Sequence, residues 1–89
     1  MPLTATVTLR KDVLFQDMGD ECVLLNIETE KYFGLSGVGA RLWQLFAEDG
    51  NVRRALDAIQ EEYDVDGDTA ERDLRAFLDR LAAAHLIES

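Results

Sequence analysis

With 89 residues, 47% hydrophobic and 30% charged, the chain can build one core and is too apolar to be a disordered segment. The net charge is −9; residues 1–47 hold four Lys/Arg against six Asp/Glu (−2), and residues 48–89 hold five against twelve (−7). Such a surface repels nucleic-acid phosphates and anionic membranes. A lone cysteine, Cys22, excludes an internal disulfide, and neither a signal-peptide core nor a membrane-spanning apolar run is present, so the expected setting is the cytoplasm.

The first third reads as strands. Ala5, Val7 and Leu9 alternate with threonines over residues 4–9, and residues 13–17 form a second candidate before the turn at Gly19-Asp20. The nearly continuous apolar run Cys22-Val23-Leu24-Leu25-Asn26-Ile27 predicts a central strand covered on both faces. A polar turn leads to the last strand, Lys31-Tyr32-Phe33-Gly34-Leu35, with Phe33 and Leu35 on one face and Tyr32 and Gly34 on the other.

At Ser36, read as an N-cap, the period changes to 3.6. Val38, Leu42, Leu45 and Phe46 share a helical face that stops at Gly50, while Trp43 lies off it and either packs on a neighbour or stays part-exposed. Asn51 caps a second helix with Val52, Ala55, Leu56, Ile59 and Tyr63 on one stripe. A third helix is capped by Asp68 with Glu71, or by Asp66 instead, and buries Ala70, Leu74, Phe77, Leu78, Leu81 and Leu86. The predicted fold is α+β and winged-helix-like: an N-terminal three- to four-stranded antiparallel sheet (residues 4–35) followed by three α-helices (residues 36–87), in one domain over 1–89.

No catalytic, metal or cofactor constellation emerges. His85 is the only histidine, and Cys22 reads as a buried, inert thiol. Asp64, Asp66 and Asp68 mimic the start of a calcium loop, but the required glycine and glutamate positions hold Thr69 and Arg75. Gly34, Gly37 and Gly39 lack the Lys-Ser/Thr of a phosphate loop. What remains is an edge: the last strand leads straight into the first helix, leaving backbone donors and acceptors open to strand addition by a peptide. Proline at Phe33 is expected to remove one of those donors.

Several stretches carry a resemblance. Val23-Leu24-Leu25, a short turn, Tyr32-Phe33-Gly34-Leu35, then Val38-Gly39-Ala40-Arg41-Leu42-Trp43, and at the end Phe77, Leu81 and His85-Leu86-Ile87, together resemble the PqqD-like family over residues 13–87. Ser36 replaces the family's usual Asn, and His85 its usual Gly. The resemblance implies a stand-alone recognition element for ribosomally synthesised, modified peptides. Such an element binds the precursor's leader antiparallel to the last strand, against the third helix, and serves a separate radical-SAM enzyme or a leader peptidase of the lasso-peptide type. It has no catalysis or cofactor of its own and is a monomer or weak dimer.

Mapped here, the resemblance implies an edge made of Lys31, Tyr32, Phe33, Gly34 and Leu35, a helix wall of Asp73, Ala76, Phe77 and Arg80, and a floor of Leu25 and Ile27. Arg80 and Lys31 are the candidate partners of leader carboxylates. Phe33, Leu35, Phe77 and Leu81 also serve the core, whereas Lys31, Tyr32, Ala76 and Arg80 point away from it. The competing readings are a winged-helix transcriptional regulator, which needs a basic recognition helix, and a structural subunit with no peptide ligand.

Overall fold

Short-range turns organise the N-terminal half of the computed structural model, which describes residues 6–88. The elements run β1 (Thr8–Leu9), β2 (Val13–Asp17), β3 (Glu21–Asn26), β4 (Lys31–Ser36), α1 (Val38–Glu48), α2 (Val52–Tyr63), α3 (Gly67–Ala83) and β5 (Ile87–Glu88). Two successive hairpins make an antiparallel sheet in the order β2-β3-β4, with Leu24 opposite both Phe15 and Phe33, and Leu25 opposite both Leu14 and Tyr32. The α+β architecture is the expected one, with three strands in the main sheet.

Alternation sorts the side chains onto two faces. Cys22, Leu24 and Asn26 point into the core, and Phe33 and Leu35 pack against it half-buried. On the other face Leu14, Val23 and Tyr32 are exposed and Leu25 is half-buried. The expectation that β3 is covered on both faces is therefore wrong: the helices cover one face only, and the apolar run continues onto an open one.

The N-terminal segment does not extend this sheet. Of the predicted strand 4–9, residues 4 and 5 lie outside the described residues. Thr6 bridges to Asn51, the Val7 N–H donates to Gly50 O at 2.7 Å, and β1 pairs antiparallel with β5. Gly50 has φ +69°, and a Cβ there would sit 2.1 Å from Val7 O, so the α1–α2 turn requires glycine at this close approach.

The helix ends correct two expectations and decide a third between its alternatives. Ser36 is the last residue of β4, not a cap; Gly37 precedes α1 without a side-chain cap bond. Asp66 rather than Asp68 caps α3, its carboxylate accepting from Thr69 N–H at 2.8 Å. Helix α3 ends at Ala83, so Leu86 is not helical. Instead His85 N–H donates to Ala82 O (3.1 Å) and Leu86 N–H to Leu81 O (3.0 Å), with His85 at φ +59°. These are the two bonds of a Schellman turn, and buried Leu86 and Leu81 supply its apolar contact. His85 thus adopts the left-handed conformation that a glycine takes readily.

Asn51 caps α2 as expected, accepting from Arg54 N–H at 2.9 Å. Trp43 is fully buried and meets Phe15 edge-on, with ring centroids 5.8 Å apart, which fixes α1 beneath β2 and removes the part-exposed alternative. Gln44 ties the β2–β3 turn to the same helix, donating to Asp17 Oδ1 and Gly19 O.

Candidate functional site: the β4 edge and the α3 groove

Backbone polarity along β4 follows from two hydrogen bonds just outside the strands. Gly37 N–H donates to Asp20 O at 3.0 Å, continuing the register in which Ser36 opposes Glu21. Antiparallel pairs alternate between bonded and non-bonded, so Leu35, Phe33 and Lys31 face β3. Ser36, Gly34 and Tyr32 direct their N–H and C=O groups outward. The β2–β3 hairpin agrees independently: Met18 N–H donates to Glu21 O at 2.8 Å, which turns Val23 and Leu25 toward β2 and leaves the even residues of β3 for β4. No described residue pairs with the outward groups of Tyr32, Gly34 and Ser36, since β4 ends the sheet. The Phe33 N–H is consequently a ladder donor. Proline at that position breaks the hairpin rather than testing the edge; Gly34 is the position that tests it.

Beside the edge lies a cavity of about 490 Å³, bounded by Gly34, Leu35 and Ser36 on one side and by Asp73, Ala76, Phe77 and Arg80 on the other. The four α3 residues follow 3- and 4-residue spacing and so share a helix face. Phe33, Phe77, Arg80 and Leu81 continue the groove toward the end of α3. Of the predicted residues, the groove brings together Phe33, Gly34, Leu35, Asp73, Ala76, Phe77 and Arg80. Lys31 and Tyr32 stand on the edge outside it. Leu25 and Ile27 are not its floor: Leu25 points to the open face, and Ile27 is 50% exposed in the turn after β3.

The cavity also runs deeper than the sequence suggested. Val38, Gly39 and Leu42 of α1, Leu56, Ile59 and Tyr63 of α2, and Val65, Ala70 and Leu74 extend it as an apolar recess between the helices. Tyr63, on the apolar stripe of α2 by its spacing, is 41% exposed at the mouth. A stripe reaching past the last buried turn, followed by Val65, was the available signal.

The groove is electrically mixed in an otherwise acidic protein. Asp73 lies at the Ser36 end and Arg80 at the Phe33 end. Among the described residues neither Arg80 nor Lys31 makes an ion pair, whereas Arg75 is held by Glu71 at 3.0 Å and Arg72 lies 3.9 Å from Asp73. Both groove walls are anchored by Asn26, the one buried polar residue described, at 1% exposure. Its Nδ2 donates to His85 O (2.9 Å) and its Oδ1 accepts from Thr29 N–H (3.1 Å), tying the β3–β4 hairpin to the end of α3. Burial pushes the Cys22 thiol up, with the Asp17 carboxylate adding to it, so the thiol is kept protonated. No group of three or more His, Cys, Asp or Glu among the described residues is placed to hold a metal.

Known proteins share this fold. No curated protein matches the chain. A solved structure described as "TbiB1 in Complex with the TbiA(beta) Leader Peptide" is 44% identical, superposes with a TM-score of 0.89, and is matched over 92% of this chain and 95% of its own. A second, "Lasso peptide synthetase B1 complexed with the leader peptide", has the same fold at 22% identity, with a TM-score of 0.85 over 96% of this chain and all of its own. The family model of Coenzyme PQQ synthesis protein D (PqqD) matches residues 21–87, and the chain belongs to that family.

Proposed function

We propose that this chain binds the leader of a ribosomally synthesised precursor peptide as an added antiparallel strand along β4, and delivers it to a separate modifying enzyme or leader peptidase. The observation that carries this reading is the row of unpaired edge groups at Tyr32, Gly34 and Ser36 alongside an open apolar groove. Edge hydrogen bonds supply affinity without regard to sequence, and alternate side chains of the peptide enter the groove and set specificity. Phe33, Leu35, Ala76 and Phe77 are its apolar contacts, and Arg80 and Lys31 attract carboxylates. Asp73 favours a cation at the opposite end. The 44% identical TbiB1, bound to a leader peptide, supports the reading.

The protein contributes no chemistry. It raises the local concentration of substrate at the enzyme and sets its direction. No helix among the described residues is long and apolar enough to cross a membrane, in keeping with a cytoplasmic adaptor. A DNA-reading role for α3 is disfavoured by its acidic neighbours and by the Arg75–Glu71 pair.

The test is a titration of fluorescently labelled leaders, beginning with the TbiA(beta) leader and the leader of the chain's own genomic neighbour. Saturable binding that Gly34→Pro weakens on the order of 100-fold, in a protein that still melts cooperatively, is the expected result. Absence of binding by every leader tried overturns the reading.

A further inference from the structure

Gly34 sits in the middle of a six-residue strand without any internal reason to be glycine. Its φ is not positive, and a Cβ built on it would meet nothing within 4 Å. Glycine weakens a strand interior, because it costs backbone entropy and leaves no side chain to pack. The gap opens on the uncovered face of the sheet, between Tyr32 and Ser36 along the strand and beside Val23 across it. Val23 and Gly34 form a non-hydrogen-bonded pair, the kind whose side chains approach most closely. Val23 is 37% exposed and Tyr32 72% exposed, and the rows Leu14–Leu25–Tyr32 and Gln16–Val23–Gly34 carry no charge. The result is an apolar notch at the point where an added strand would form its central backbone bonds.

We propose that the residue of the bound strand that pairs with Gly34 is bulky and apolar, with its side chain lying across the glycine against Val23 and Tyr32. An aromatic ring over a cross-strand glycine fills the missing volume and gives Tyr32 a diagonal neighbour. The inference rests on strand addition along β4 and adds a second recognition surface, on the face of the sheet opposite the α3 groove. A strand's alternation then divides the peptide's specificity: one set of residues enters the groove, and the other contains the residue that covers Gly34.

The experiment is selection of peptides from a random display library on the protein and on its Gly34→Val variant, followed by affinities for synthetic copies. Valine suits a strand, and its Cβ meets no neighbour, so the variant is expected to melt no lower than the parent. Peptides selected on the parent should share one Phe, Tyr, Trp or Leu position whose change to Ala weakens binding about tenfold. Gly34→Val should weaken the unaltered peptide about tenfold, and on that variant the Ala peptide should lose less than about threefold more, the coupling expected of groups in contact. Gly34→Ala should fall between, and replaces Gly34→Val if the latter fails to fold. If folded Gly34→Val binds the selected peptides as well as the parent does, or if the two losses simply multiply, the inference is overturned while strand addition stands. If neither protein selects any peptide, strand addition itself fails.

Discussion

The three-stranded sheet has two edges, and they differ in what lies beside them. The outer edge of β2 is closed at its ends by the protein's own bonds: Val13 N–H reaches Arg10 O, and the Asp17 carboxylate takes Gly19 N–H and the Gln44 amide. Its central side chain, Phe15, is occupied against Trp43. Among the described residues nothing pairs with the polar groups on the outer edge of β4, which faces a cavity between itself and α3. An exposed edge is common in small sheets; the β4 edge adds an adjacent apolar groove and, among the described residues, an arginine without an ion pair, which is why the proposed docking falls there. The difference arises in the helices: their residues wall the cavity beside β4, whereas β2 stays exposed from Leu14 to Asp17.

A matched pair of prolines distinguishes the two edges most sharply. Gly34→Pro and Phe15→Pro each replace an outward-facing N–H on one edge. Gly34→Pro is expected to weaken leader binding on the order of 100-fold, about 3 kcal/mol, through lost edge bonds and the displaced strand. Phe15→Pro should lower stability through the lost Trp43 contact and leave the affinity of the folded fraction unchanged. Equal effects on binding would show that β4 is not the docking edge.

Next in size is Asn26→Ala, which strands the His85 carbonyl and the Thr29 N–H and uncouples the hairpin from α3. A loss of about 2 kcal/mol is expected in denaturant unfolding, with increased amide exchange at β4 before β2. Arg80→Glu follows: leader affinity should fall about tenfold, with a weaker dependence on salt, while the melting temperature stays near the parent's. An unchanged salt dependence would remove Arg80 from the site.

The smallest expected effect concerns the start of α3. Backbone and side-chain hydrogen bonds from Thr69 hold the Asp66 carboxyl below its ordinary value of 3.8. A depressed carboxyl stabilises the fold above that value and loses the contribution as pH falls through its folded pKa. Asp66→Ala should therefore melt lower than the parent at neutral pH, and the gap should close below pH 3.8. Asp12, held down chiefly by its hydrogen bond from Arg10 next to β2, should show the same sign on the other edge.

The helical half of this fold is largely legible in the sequence. Asn51 and the stripe Val52, Ala55, Leu56 and Ile59 declare α2 through local chemistry alone. The sheet was half legible. Val23, Leu25 and Ile27 are as apolar as Cys22 and Leu24, so a run of them cannot say which face the helices leave bare. Ser36 has the chemistry of a cap, but ladder pairing with Glu21 claims it for β4. Leu86 keeps α3's apolar spacing after the helix has stopped, because the turn at His85 returns it to the same core. Of the candidate site, the edge could be read from the order of the elements, and the α3 wall only through the family resemblance. The recess toward α2 could not, since its lining residues come from three helices whose spacing is set only by packing.

The pairing of Thr8 with Glu88 bears on how the molecule is made. The hairpins of β2, β3 and β4 close over short loops and can form as soon as they leave the ribosome. The β1 strand waits for residues 87 and 88, so the β4 segment leaves the ribosome well before the pairing that closes the chain's two ends can form.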